Sequence, residues 1–235
     1  MNTPIVFDEN AKKVLSKEQQ KLSPLLEDFS RTHFLAGGTA VALWLWHRES
    51  IDFDFFSRSD QGTFATFTQR IGQYGFDVSE SDKERFAGAE FETQDEIHVS
   101  IAWVRVSVID FFRTLYTYQE IRIQWDTHIL GGLRIANLEE LTAMKLFAMI
   151  TRKKWKDAVD LYFLLHHTWV SLSDALTLAE EKYFIRIWNR SAILEQLVSM
   201  DWDTTESVHY LTDTPPTDTL VSEWLRDEAM KVLGE

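Results

Sequence analysis

Phe34-Leu35-Ala36-Gly37-Gly38-Thr39, followed by Ile51-Asp52-Phe53-Asp54-Phe55-Phe56, is the stretch of this 235-residue chain whose reading decides its fold. Its pattern predicts a strand over Thr32–Ala36, a glycine turn, a helix over Thr39–Trp46 and a second strand over Ser50–Phe56. Side chains alternate across a strand, so Asp52 and Asp54 share one face while Ile51, Phe53 and Phe55 take the other. Two carboxylates roughly 7 Å apart, at about 3.3 Å per residue, can hold hard cations that also take phosphate oxygens. Gly37 and Gly38 carry no Cβ, so the chain can turn sharply and a ligand can approach its amides. The helix that Thr39 opens presents unpartnered N–H groups with partial positive charge, an end suited to anions. A nucleotide site is the expectation.

Each part has a plainer reading when taken alone. Gly-Gly is usually a turn, and an isolated Asp-x-Asp strand is usually a solvated sheet face. The intervening segment, Ala40-Val41-Ala42-Leu43-Trp44-Leu45-Trp46, is apolar nearly all round and so belongs in the core. It would hold the turn rigidly against the sheet, which favours a site.

Working outward, Asn10–Phe29 reads as an amphipathic helix interrupted at Ser23-Pro24. A helix over Gly62–Tyr74 ends at Gly75. Strands are expected at Phe76–Ser79, Ala89–Glu92, the long alternating run Ile97–Ile109, and Ile121–Gln124. After Gly131-Gly132 the pattern changes: Asn137 caps a helix with Glu139 and Glu140 in its first turn. Helices then run to the end, with a break at Pro215-Pro216. The predicted class is α+β, with a mixed sheet and its helices over residues 1–135 and a helical region over 136–235.

A second block lies about 90 residues beyond the first: Leu138-Glu139-Glu140-Leu141, Met144-Lys145-Leu146, Arg152, Lys156-Asp157 and Asp160-Leu161-Tyr162. With Leu35-Ala36-Gly37-Gly38-Thr39-Ala40 and His47-Arg48-Glu49-Ser50-Ile51-Asp52-Phe53-Asp54, it resembles the AbiEii/AbiGii toxin family of nucleotidyl transferases. That family is a branch of the polymerase-β-like nucleotidyltransferases. The resemblance implies a nucleotidyltransferase-like mixed sheet and transfer of an NMP from an NTP, with Mg²⁺ or Mn²⁺ held by Asp52 and Asp54. It also implies a place in a toxin–antitoxin or phage-defence system, a cognate antitoxin protein as partner, and either a tRNA 3′ end or a protein as acceptor.

Asp52, Asp54 and Lys145 are the candidate catalytic residues, and Lys145 can reach a triphosphate as a mobile point charge. Without the resemblance it would be a surface lysine covering apolar neighbours. Gly37, Gly38, Thr39, Arg48, Ser50, Arg152 and Asp160 are the candidate nucleotide-binding residues. Asp160 can position Lys145 or Arg152 or meet the nucleotide, whereas Asp157 reads more readily as a helix cap. His47, beside Arg48 at the mouth between helix and acidic strand, can also touch phosphate.

The wider superfamily places a third carboxylate on a later strand. The alternation of Arg105-Val106-Ser107-Val108 puts Ser107 there, and a serine cannot be the general base. Asp110 would substitute only through a bulge that re-aims it. Ser107 therefore supports a competing reading, a nucleotide-binding or regulatory protein of this fold that has lost the chemistry. A kinase reading of Asp52-Phe53-Asp54 fails for want of a glycine-rich loop followed by a lysine strand.

Composition narrows the setting. With 24 basic and 37 acidic residues the formal charge is −13, which argues against a broad nucleic-acid footprint. Arg152-Lys153-Lys154-Trp155-Lys156 is the dense basic run; it reads either as a solvated face or as a lip for phosphate or an RNA end, with Trp155 able to stack. The absence of cysteine excludes a disulfide framework and thiolate metal sites. No signal-peptide pattern or membrane-length apolar run occurs, so a cytoplasmic protein without a membrane partner is expected.

Overall fold

The computed structural model describes residues 7–57, 71–76, 96–109, 127–168, 170–183 and 190–234. Its centre is a six-stranded mixed sheet made of β1 (His33–Ala36), β2 (Phe53–Ser57), β3 (Glu96–Ile101), β4 (Val104–Ile109), β5 (Thr127–Leu130) and β6 (Leu133–Ala136), in the order β3-β4-β2-β1-β6-β5. β2 runs antiparallel to β1 and parallel to β4, and β1 runs parallel to β6. The expected mixed sheet is therefore present, and its two central strands are those of the opening motif.

Between β1 and β2 lies α4 (Gly37–Leu45), preceded by three short helices, α1 (Glu9–Val14), α2 (Lys17–Lys21) and α3 (Ser23–Phe29). Ala40, Val41, Ala42 and Leu43 are buried, but the expected all-round burial stops there: Trp44 and Leu45 are half-buried and Trp46, just past the helix end, is 46% exposed. Each fully buried side chain of Leu or Phe size contributes roughly 1.5–3 kcal/mol, and Leu35, Phe34, Phe53 and Phe55 complete the core around α4. Trp46 stops the helix in a left-handed conformation, φ +50°, and donates its N–H to the Ala42 carbonyl at 2.8 Å.

Two expectations need correction. The amino-terminal segment is three helices, because Ser16 and Gln19 form a reciprocal capping box that starts α2 afresh and Pro24 sits in the first turn of α3. The run 97–109 is two strands: Ala102 and Trp103, at φ +48° and +70°, make a two-residue turn. Of the remaining expectations, Gly75 does close a helical turn with φ +73°. The strands at 89–92 and 121–124, residues 62–70 of the helix expected over 62–74, and residues 77–79 of the strand expected over 76–79 lie outside the described residues.

β5 and β6 form a hairpin over Gly131 and Gly132, both at positive φ; this hairpin was not expected. Asn137 then caps α5 (Leu138–Thr151), its side chain accepting the Glu140 N–H at 2.8 Å. α6 (Trp155–His167), α7 (Leu172–Tyr183), α8 (Arg190–Ser199) and α9 (Asp218–Gly234) follow. They pack around a second apolar cluster that includes Leu146, Leu161, Leu176, Leu197 and Leu225, and Leu45 and Met144 touch both clusters. α4 packs against α5 and α6 as well as β1 and β2, which brings the second sequence block to the glycine turn. Among the described residues no helix is long and apolar enough to cross a membrane.

Candidate active site

The chain leaves β1 through Gly37, whose φ of +68° is a conformation that L side chains rarely adopt. A Cβ at this position would collide with Oδ2 of Asp54. The sheet register explains the approach, since Asp54 pairs with Ala36, the last residue before the turn. At Gly38 a Cβ would lie 2.5 Å from Nη2 of Arg48. The two glycines thus each admit one functional side chain, a carboxylate and a guanidinium.

Asp52, expected on the acidic strand, lies just before it, since β2 begins at Phe53, and the helix expected from Thr39 already begins at Gly37. The Asp52 carbonyl accepts a hydrogen bond from the hydroxyl of buried Thr39, which also pairs with the Ser50 hydroxyl 2.7 Å away. Thr39 therefore ties the start of α4 to the approach of the acidic strand. Partial burial, together with repulsion from Asp54, pushes the Asp52 carboxyl pKa above its ordinary value.

Behind this pair lies a buried charge network built by α6. Asp160, fully buried, accepts from Nε and Nη2 of Arg48 at 2.6 and 2.7 Å and from Nε2 of His47 at 2.8 Å, and pairs with Nζ of Lys145 at 2.7 Å. Asp157, also fully buried, accepts from Lys145 at 2.7 Å and from Nε of Arg152 at 2.8 Å. Burial alone would raise the Asp160 pKa, but Arg48 and Lys145 outweigh it and hold it well below the usual carboxylate range. Burial likewise opposes the charge on Lys145, yet Asp157 and Asp160 keep its pKa above that of an ordinary lysine. Burial lowers the pKa of His47, so its neutral ring donates to Asp160.

These groups open on one cleft of about 340 Å³, lined by Gly38, Asp52 and Asp54 on one side and by Arg48, Lys145 and Arg152 behind. Ser50 also lines it, whereas Thr39 serves from beneath. On the sheet side Ser107 lies in register with Asp54, at the place the alternation of β4 assigned to it. Asp110 lies outside the described residues. A strap over residues 203–211 forms the far wall. It is fastened to the chain before β2 by Glu49 N–H to the His209 carbonyl at 2.9 Å and by Leu211 N–H to the His47 carbonyl at 3.0 Å.

Sequence reasoning therefore placed the acids, the glycine turn, Ser50, Arg48, Lys145 and Arg152 at one cleft. Asp160 and His47, however, are wholly buried and brace Arg48 and Lys145 from behind instead of meeting a nucleotide or phosphate. Trp155, buried in the second apolar cluster, is not available to stack on a base. Sequence reasoning underrated Asp157, which does not cap α6: the helix begins at Trp155 behind Lys154, and the Asp157 carboxylate, in its first turn, grips Lys145 and Arg152 instead. It also passed over Arg105, which lines the cleft two residues before Ser107 on β4; the period-two pattern that located Ser107 points equally to Arg105. Glu206 and His209 of the strap carried no sequence signal, because the strap has no periodic pattern.

Comparison with known proteins shows the family and the fold. Over 178 residues, 75% of this chain and 77% of the relative, the sequence is 30% identical to an uncharacterized protein of Aquifex aeolicus (strain VF5). The fold is similar to the crystal structure of a "putative nucleotidyltransferase from H. pylori", with a TM-score of 0.52, 15% identity and 96% of each chain covered. Residues 22–227 match the family model described as nucleotidyl transferase AbiEii toxin, type IV toxin–antitoxin system. The match takes in both motif blocks and most of the chain: this protein belongs to the AbiEii family of nucleotidyltransferase toxins.

Proposed function

We propose that the cleft transfers a nucleoside monophosphate from an NTP to an acceptor hydroxyl, and that the protein acts as the toxin of a pair restrained by a cognate antitoxin. The observation that carries this reading is the convergence of Asp52 and Asp54, the bare glycine turn, and the cations Arg48, Lys145 and Arg152 on one cleft. Two carboxylates in a polar, open cleft are a donor set that suits Mg²⁺ or Mn²⁺, which are held by one or two acids together with substrate phosphates and water. Such an ion, held by Asp52 and Asp54, would draw charge from the α-phosphate and orient in-line departure of pyrophosphate. Gly38 and the first N–H groups of α4 receive phosphate oxygens. Arg48 and Lys145, fixed by Asp160 and Asp157, supply positive charge that need not reorganise as the reaction proceeds.

The rim favours a nucleic-acid end over a protein as acceptor. Arg105, Lys154 and Lys156 line the cleft, and Trp103, at the tip of the β3–β4 turn two residues from Arg105, is 96% exposed. A cleft cation, Arg105, that lies two residues along the chain from an exposed aromatic suits a single strand, which contributes phosphates and stackable bases.

A second reading, a nucleotide-binding protein without transfer, is favoured by Ser107, since a hydroxyl stands beside Asp54 where a base would act. Incubating the purified protein with each labelled NTP, Mg²⁺ or Mn²⁺, and either total tRNA or cell protein separates the two. Label on tRNA that disappears in Asp54→Ala supports the proposal. Label on protein keeps the enzyme but replaces the acceptor, and nucleotide binding without transfer supports the second reading.

A further inference from the structure

The cleft holds more positive charge than its phosphate-binding face uses. Lys154 and Lys156, on the rim at the start of α6, are both engaged by the strap. Nζ of Lys154 pairs with Asp203 at 2.7 Å and with Glu206 at 3.2 Å, and Nζ of Lys156 pairs with Glu206 at 2.6 Å. The strap's backbone is pinned on both sides of this carboxylate. Asp203 N–H donates to the Lys153 carbonyl at 2.6 Å and Trp155 N–H to the Asp203 carbonyl at 3.0 Å, while Glu49 N–H holds His209. Asp203 is further occupied by the N–H and hydroxyl of Thr205 at 3.0 and 2.6 Å.

Residues 204–208 therefore bridge two fixed points, and the acid they carry toward the cleft is Glu206. Its side chain is about half exposed, so it can be displaced at little cost. Both members of the Lys156–Glu206 pair line the same cleft as Asp52 and Asp54. The pair thus sits within reach of the acids expected to hold the metal.

Building on the proposed triphosphate site, we infer that Glu206 is a built-in competitor of the substrate: its carboxylate occupies Lys156 and shares Lys154, and a polyphosphate must displace it to gain those charges. Lys154 stays on Asp203, and Lys156 is the charge that is handed over. The site is then tuned below the affinity its cations allow, by a single acid on a strap contributed by the carboxyl-terminal half of the chain.

The test measures binding of magnesium tripolyphosphate by titration calorimetry to the full chain, so that neither the base nor the acceptor needs to be known. Glu206→Gln is expected to bind about two- to fivefold more tightly than wild type, the range for freeing Lys156 from one exposed carboxylate. The gain should shrink as salt rises. Glu49→Gln removes a different acid from the same cleft; its effect should be smaller, and an equal effect would reduce the inference to the general field of the cleft and overturn it. Unchanged or weaker binding by Glu206→Gln would overturn it as well, showing that the acid only braces the strap. No binding by either protein would sink the underlying triphosphate reading, and this inference with it. As a second readout on wild type, amide exchange over residues 204–208 should quicken when tripolyphosphate is added, and unchanged or slower exchange contradicts the displacement of Glu206.

Discussion

Removing the Asp160 carboxylate isolates what the buried network does for the fold. In Asp160→Ala, Arg48 and Lys145, whose side chains are 7% and 5% exposed, lose a shared partner that is wholly buried. His47 loses its hydrogen bond as well. Breaking a buried pair by deleting one member costs roughly 3–5 kcal/mol, since an uncompensated charge is left inside. Asp157 still holds Lys145, so the stranded group is chiefly Arg48, and a loss of about 3–4 kcal/mol is expected. That is a large share of the roughly 5–15 kcal/mol by which domains are stable. At a urea m-value of about 2–3 kcal/mol/M the unfolding midpoint falls by roughly 1–2 M.

The sign of the pH dependence follows from the depressed Asp160 pKa. As pH falls below the ordinary carboxylate range the unfolded chain takes up this proton first, so the stability Asp160 contributes is complete above that range and lost below it. Wild type should therefore lose more stability on acidification than Asp160→Ala. Circular dichroism during urea titration at stepped pH measures both quantities. A loss under about 1 kcal/mol, or identical pH slopes for the two proteins, would show that Arg48 and Lys145 find solvent and that the network is not a buried clamp.

Gly37→Ala forces a side chain into φ +68° and into the Asp54 carboxylate. It should cost about 1–2 kcal/mol from the backbone alone and depress transfer activity far beyond what that loss of fold explains, as denaturation and NTP-transfer assays on the same preparation would show. Trp103→Gly relieves a left-handed residue at a two-residue turn; stability should hold or rise by up to about 1 kcal/mol, while KM for an RNA acceptor increases and NTP binding stays unchanged. The raised pKa of Asp52 means that its carboxylate protonates at a higher pH than an isolated aspartate. Mn²⁺ affinity followed by calorimetry should accordingly begin to fall on acidification before the ordinary carboxylate range is reached, and Asp52→Asn should remove that early decline.

The parts of this molecule that sequence made legible are those with a local physical signature. The β1–α4–β2 unit was readable because Gly-Gly, an all-apolar helix and alternating acids each leave a pattern of different period. Asn137 announced α5, and the alternation of β4 located Ser107 opposite Asp54 before the register was known. The break between α1 and α2 is also written locally, in Ser16 and Gln19, but a capping box inside a polar amphipathic run is a weaker signal than the proline at Ser23-Pro24. The β3–β4 turn was hidden because Ala102 and Trp103 are not the residues that usually take positive φ. Asp157 and the strap were illegible for another reason: their roles arise from partners 12 and about 50 residues away, which only packing brings together.

Asp52 and Asp54 are proposed to hold a metal-bound triphosphate against the glycine corner. Electron paramagnetic resonance of Mn²⁺, with NTP present and with wild type beside Asp52→Asn/Asp54→Asn, tests it directly. Stoichiometric, NTP-dependent Mn²⁺ binding to wild type is expected, and its loss in the double variant while the fold persists. Mn²⁺–NTP binding of equal strength in both proteins would contradict the proposal.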